Sequence, residues 1–550
     1  MVSFLNPLPS LPQPLGPYKV GTSEWEIPVS EIPSTAKVPD SKISTIKFRL
    51  YYPTTDSAPS KSIKWLPSPQ RQWVAAYSSF LGASPRVASW ISAFPSLLNY
   101  TTISATPDAE LRDKPRSSHF PLAVFSHGLG GNYNTYSAVC ASLASFGVVC
   151  VAPEHRDGSA PISFIRSSTQ DSISIPYQKY SHTPTPEVLK ARNAQLRIRL
   201  WELDNLFTAL TSLHQGRTFT NYALPTQDTP RQSILTDALD LRPGRVTWAG
   251  HSFGAATMVQ FVKSVYHRDH VPSLEGTPYE NDMDWHPLYT PADNGHLVQQ
   301  ITPDSPVALL DLWTTPLRDE STKWMLERPM PCHHRDPTSA DTPPNTVAIL
   351  SAEFNNYVDL KNRTIAVLSR QPADAMIELE RRKAANEASS TKPTPDNGQS
   401  MPMPTITITS PPPPSSSPNS SNSSNSTSRD VSPHSSASPA SSTTSFAPST
   451  SEAKPSSEAS QTSTVEPHLY LIPNSAHLSQ SDFGLLFPNF TRYLMNAQDP
   501  HKTIELNVRA ILAVMRGQGL PVSDYTTEGG PDRILSSEGL EKRFVRIPLV

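Results

Sequence analysis

The pentapeptide Gly250-His251-Ser252-Phe253-Gly254 constrains this chain more than any other stretch. It follows the apolar run Val246-Thr247-Trp248-Ala249 and leads into Ala255-Ala256-Thr257-Met258-Val259. A β-branched and aromatic run, then Gly-x-Ser-x-Gly, then helix formers predicts a sharp strand-to-helix turn with the serine at its tip. The glycines are needed because a Cβ at either position would run into the adjoining strand or helix. A serine hydroxyl is a weak nucleophile at neutral pH. It needs a histidine to take its proton and an acid to orient that histidine, and both must come from elsewhere in the chain.

Apolar runs at 46–52, 122–126, 148–152, 246–249, 307–310, 347–351 and 468–472 predict strands. Between them, Leu196, Leu200, Leu203, Leu206, Phe207, Leu210 and Leu213 recur every three or four residues and predict a helix over 192–213. Strands alternating with helices imply a mostly parallel sheet with helices on both faces. The expected architecture is one α/β-hydrolase domain, residues 1–386 and 466–550, with excursions near 217–232 and 265–300. In that fold the acid and base follow the serine in the order Ser…Asp/Glu…His, each after a later strand. Asp311 closes the 307–310 run and is the first candidate for the acid. Glu353, after the 347–351 run, is its rival. His477 follows the last run through Pro473-Asn474-Ser475-Ala476 and is the candidate base, whereas His468 begins that run at the opposite edge of the sheet. A tetrahedral oxyanion needs two N–H donors. One is assigned to Phe253, the other to Leu129 in the loop His127-Gly128-Leu129-Gly130-Gly131.

Between acid and base, residues 387–465 are Ser, Pro, Thr and Asn with almost no aliphatic side chains. Such a stretch cannot bury enough apolar surface to offset its ordering entropy, so it is expected to be a disordered insert within the domain. Loop closure cost grows only logarithmically with length, which lets a fold tolerate it. A net charge of -3 gives no sign of a nucleic-acid partner. Cys140, Cys150 and Cys332 are too few and scattered for a disulfide framework or a zinc site. Met1-Val2-Ser3-Phe4-Leu5-Asn6-Pro7 lacks a basic n-region, and Val2 excludes N-myristoylation. No apolar run is long enough to span a bilayer. The expected localisation is cytoplasmic.

Phe125–Gly130, Tyr136-Ser137-Ala138, Leu143-Ala144-Ser145, Glu154-His155-Arg156-Asp157, Gly250–Gly254, and Asp311-Leu312-Trp313 with Pro316-Leu317 together resemble the platelet-activating factor acetylhydrolases, plasma and intracellular type II. Gly16-Pro17-Tyr18-Lys19-Val20-Gly21, Arg49–Pro53 and Asn507-Val508 are similar too. The resemblance spans roughly 16–370 and 466–520. It implies a calcium-independent serine esterase, without metal or organic cofactor, that cleaves the sn-2 acetyl or short or oxidised acyl chain of phospholipids. It also implies Asp311 over Glu353 as acid, His477 as base, and Leu129 and Phe253 as oxyanion donors. The histidine loop Asn474–Gln480 departs from the family around its histidine, and the insert is not covered.

An enzyme on such substrates must reach lipid aggregates or a membrane surface. Val87, Trp90, Ile91, Phe94, Leu97 and Leu98 have helical spacing after Ser84-Pro85 and are candidates for interfacial contact, with Pro95 expected to break the helix. A second apolar group, Phe483, Leu485, Leu486, Phe487 and Phe490, reads first as core. Two other functions fit parts of the sequence: a general carboxylesterase or polyesterase without phospholipid preference, and a non-catalytic module acting through Ser-Pro sites at Ser410, Ser432 and Ser438.

Overall fold

Ten strands join in one sheet in the computed structural model, which describes residues 10–549 apart from 35–36, 56–62, 115–118, 168–171, 224–231, 271, 278, 284, 294, 337–342, 390–465, 528–529 and 537–541. In chain order they are β1 (Lys19–Pro28), β2 (Thr45–Thr54), β3 (Thr106–Pro107), β4 (Leu122–Ser126), β5 (Val149–Glu154), β6 (Thr247–His251), β7 (Val307–Leu310), β8 (Thr346–Ser351), β9 (His468–Ile472) and β10 (Val545–Ile547). Strands β5-β4-β6-β7-β8-β9 lie side by side in that order and all run parallel. Antiparallel β2 and β1 extend the β5 edge, and antiparallel β10 extends the β9 edge. Short β3 pairs parallel with β1. The chain passes from β4 to β5 on one side and resumes with β6 on the other. In open α/β sheets, ligands bind outside the carboxyl ends of the strands at such a reversal, here those of β4 and β6.

The principal helices are α1 (Gln70–Phe80), α2 (Pro85–Ser92), α3 (Ser137–Ser145), α4 (Pro186–His214), α5 (Phe253–Tyr266), α6 (Pro372–Ser389) and α7 (Pro500–Gly517). Period-2 alternation sends Leu122 and Val124 to one face and Ala123 and Phe125 to the other. The first face packs on α4 and α5, the second on α3 and α7. This is the α/β-hydrolase arrangement, a mostly parallel sheet covered on both sides. All seven expected strand runs are strands, within two residues at each end. Helix α4 is longer than 192–213 because Thr185 caps it, accepting from the Val188 N–H, and Pro186 occupies the first helical position.

Strand β1 carries no apolar alternation because it buries charge. Glu24 and Glu26 face Arg49 and Lys47 of β2 in register. Glu24 lies 2.9 Å from the Lys47 ammonium and 2.7 Å from the Arg49 guanidinium. Burial would raise the Glu24 carboxyl, but Lys47, Arg49 and Arg166 hold it far below the usual carboxylate range.

Other expectations fare differently. The cysteines are buried and free. Helix α6 carries the chain through Ser389, so 387–389 are helical; residues 390–465, with the three Ser-Pro sites, lie outside the described residues, as do 224–231 of the first excursion. In the second apolar group, Leu485, Leu486 and Phe490 are core, and Phe483 and Phe487 pack against it. Leu98 is half-buried and packs against the core. Trp90, Ile91, Phe94 and Leu97 are exposed, and α2 ends at Ser92 before Pro95. No described helix is long and apolar enough to cross a membrane.

Candidate active site

Ser252 stands at the junction of β6 and α5 with φ +57° and ψ -118°, a conformation L-residues rarely adopt. The glycines allow it. A Cβ on Gly254 would lie 2.0 Å from the Ser126 carbonyl oxygen, and one on Gly250 would lie 2.5 Å from the Gly254 backbone. The Ser252 N–H donates to the Leu310 carbonyl at 2.8 Å, which ties the turn to the end of β7.

The next residue after that carbonyl is Asp311, fully buried and itself at positive φ. Its Oδ1 accepts from the Ser351 N–H at 2.6 Å, and its Oδ2 accepts from the Ser351 hydroxyl at 2.7 Å. The His477 Nδ1 lies 2.9 Å from the same Oδ2. Burial would push this carboxyl up, but the imidazoles of His251 and His477 hold it down to about 2. Of the two, only His477 is within hydrogen-bond reach, since His251 Nε2 is 3.9 Å away.

His477 opens a short turn after β9, and its ring stacks on Phe354 with centroids 4.6 Å apart. Glu353 is next to it in a different way: its carboxylate accepts from the His477 backbone N–H at 2.8 Å. Asp311 therefore orients the ring and Glu353 anchors the main chain. With Nδ1–H donated to Asp311, the other ring nitrogen, Nε2, carries the lone pair.

The loop after β4 lies against the serine, since a Cβ on Gly128 would come within 3.0 Å of the Ser252 Cβ. Leu129 follows in that loop. Phe253 is the first residue of α5, so its N–H has no intrahelical acceptor. The loop is held from beneath. Arg199 donates to the His127 carbonyl at 2.8 Å, and the Gly130 N–H donates to the Ser159 carbonyl at 2.9 Å. Below it, the Ser126 hydroxyl lies 2.9 Å from His155 Nε2, and His155 Nδ1 lies 2.8 Å from Glu202. This second Ser-His-acid set is fully buried and supports the loop. Burial drives the His155 imidazole well down and pushes Glu202 up to about 8, so both are neutral near pH 7.

Sequence reasoning missed His251, although it sits inside the pentapeptide. Its ring lies 4.3 Å from that of His477, and its Nδ1 is 2.7 Å from the Tyr136 hydroxyl. Tyr136 accepts from the Gly128 N–H at 3.2 Å, so its own proton goes to His251 Nδ1 and the imidazole proton sits on Nε2. Burial and the nearby His477 bring its pKa down to about 4. His251, Asp311 and His477 offer the one cluster of possible metal-ligating atoms among the described residues. Both imidazoles turn a nitrogen toward Asp311, an arrangement that suits proton handling.

Comparison with known proteins adds what the chain is similar to. The sequence profile described as "Platelet-activating factor acetylhydrolase, isoform II" matches residues 5–270. The platelet-activating factor acetylhydrolase of Bos taurus is 32% identical over 216 residues, covering 38% of this chain and 45% of its own. That of Canis lupus familiaris is 30% identical over 217 residues, again 38% and 45%. The chain spans about half the length of the curated relatives it matches. Among solved structures, a ferulic acid esterase from Streptomyces cinnamoneus aligns over 98% of this chain and 99% of its own, at 12% identity and a TM-score of 0.41. The stretch of this chain that holds the Gly128 loop and the Ser252 turn, residues 5–270, thus carries the signature of the platelet-activating factor acetylhydrolase, isoform II, family.

Proposed function

We propose that this protein is a serine esterase that removes the sn-2 acetyl, or a short or oxidised acyl group, from glycerophospholipids. Ser252 is the nucleophile, His477 the base and then the acid, and Asp311 the residue that orients His477. The observation that carries this reading is the 2.9 Å contact of His477 Nδ1 with Asp311, a carboxylate bonded through its own strand to the serine turn. Ser252 Oγ adds to the ester carbonyl as His477 Nε2 takes its proton. The N–H groups of Leu129 and Phe253 bind the oxyanion, each worth about 3–4 kcal/mol in comparable enzymes. The same proton then goes to the departing lyso-lipid oxygen, and water, deprotonated by His477, releases the carboxylate from Ser252.

Exposed Trp90, Phe94 and Leu97 support peripheral contact with a lipid surface, which would place the substrate source beside the enzyme. The test is a substrate panel on purified protein: an acetylated ether phospholipid, a long-chain phospholipid and p-nitrophenyl acetate, with wild type and Ser252→Ala. Preference for the acetylated lipid, lost in the variant, supports the reading. Turnover of p-nitrophenyl acetate alone would instead indicate a general carboxylesterase. Absence of labelling by a fluorophosphonate would leave only the non-catalytic module.

A further inference from the structure

Helix α4 buries an arginine that forms no ion pair among the described residues. Arg192 is wholly inaccessible. Its Nη1 donates to Gln195 Oε1 at 2.7 Å, while Nε and Nη2 find no hydrogen-bond partner among the described residues. The carboxylate whose charge it feels, Asp157, is already committed to Arg199 at 2.6 Å and to Ser159, and the Tyr177 hydroxyl beside it stays neutral. A guanidinium stays charged in a protein, and a buried unpaired charge is among the most costly arrangements a fold can keep. A ligand that brought an anion to it would remove that cost.

Its position says which ligand. The guanidinium carbon lies 5.1 Å from the Trp313 ring, 5.2 Å from Tyr180 and 5.8 Å from Phe253. Phe253 is the residue after Ser252, and Trp313 comes two residues after Asp311. His182 stacks on the same Trp313 at 5.5 Å, and its buried Nδ1 also lacks a partner. Burial and the neighbouring Arg192 and His477 keep that imidazole neutral at pH 7, with a pKa of about 4. Unused polar atoms on Arg192 and His182 thus flank one aromatic wall of the candidate catalytic site.

We propose that Arg192 recognises a substrate oxyanion, closing its free Nε and Nη2 arms on two oxygens of one anionic group, with His182 beside it. Two free N–H donors in a planar fork match a phosphodiester or a carboxylate bidentately, which an ammonium cannot do. The anion comes either from the phosphodiester of the glycerophospholipid or from a carboxylate ending an oxidised sn-2 chain. This assignment rests on the phospholipid esterase reading above and gives it a recognition residue.

The test uses the full chain with Arg192→Met and Arg192→Lys. The selectivity ratio is kcat/KM for the acetylated ether phospholipid divided by that for p-nitrophenyl acetate. It should fall by about 30-fold or more in Arg192→Met, as expected for truncating a buried charged contact. Arg192→Lys, which keeps the charge and loses the fork, should fall in between. An unchanged ratio, including an equal loss on both substrates, rules out the phosphodiester as the anion, and together with a failure of glutarate to bind it overturns the proposal while the esterase reading stands. Glycerophosphocholine and glutarate, each as inhibitor of p-nitrophenyl acetate turnover and as a ligand in thermal unfolding, separate the two sources. Inhibition and a raised Tm in wild type, both weakened in Arg192→Lys, support the site even if Arg192→Met fails to fold or the wild type ignores phospholipid. If neither compound inhibits or shifts Tm, there is no anion site.

Discussion

At the scale of single residues, the serine turn stores strain and the acid stores charge. A non-glycine residue held at φ +57° costs about 1–3 kcal/mol. Ser252→Gly should therefore raise the unfolding free energy in urea by about 1 kcal/mol, while Ser252→Ala leaves it nearly unchanged. Both should lose esterase activity by about 10⁴-fold or more. Asp311→Asn should lower kcat by about 10⁴-fold and Glu353→Gln far less, because only the first carboxylate fixes the tautomer of His477. The reverse ranking would move the acid to Glu353. The folded-state pKa of Asp311, about 2, lies below its unfolded value, so its stabilisation is present above about pH 4 and lost as pH falls toward 2. The stability gap between wild type and Asp311→Asn should shrink by about 2 kcal/mol between pH 6 and pH 2, read from unfolding curves. Gly-x-Ser-x-Gly and Asp311 were legible as candidates because each stands directly after an apolar run, and His477 because one short turn separates it from the last run. The partnership of His251 with Tyr136 was not, since it joins residues 115 positions apart through a side-chain contact that leaves no local pattern.

Elements tell a similar story. The central parallel strands are buried on both faces, so their sequences are continuous apolar runs and easy to read. Strand β1 escaped because Glu24 and Glu26 read as loop until β2 is known to bring Lys47 and Arg49 opposite them. The elbow makes the sharpest prediction at this scale. Gly254→Ala would set a methyl 2.0 Å from the Ser126 oxygen, so β4 and α5 would have to separate. The expected loss is about 3 kcal/mol, together with activity. Normal stability in urea would show that the two elements have slack. Helix α2 belongs here too: replacing Trp90 and Phe94 by alanine should weaken sedimentation with phosphatidylcholine vesicles, while turnover of p-nitrophenyl acetate stays within about threefold, since these side chains point away from the core. Equal sedimentation of the variant would remove α2 from the lipid contact.

On the scale of the whole molecule, neighbouring strands are distant in sequence. Asp311 and His477 meet through β7, β8 and β9, although the 390–465 stretch lies between them in the chain. Replacing that stretch by about twenty Gly and Ser residues should leave kcat within about threefold and raise stability by about 1 kcal/mol, the difference in loop-closure entropy. Both follow from unfolding curves and p-nitrophenyl acetate assays on the shortened chain.

The β8–β9 pairing has one more consequence. A cut anywhere between 390 and 465 would divide the protein into a large piece holding Ser252 and Asp311 and a small one holding His477. With the proposed triad split, neither piece alone should turn over an ester, yet parallel pairing at Val347↔His468 through Ser351↔Ile472 gives them an interface of their own. Expressed as separate polypeptides, the two would form a complementation pair, in which hydrolysis reports that the fragments have found each other.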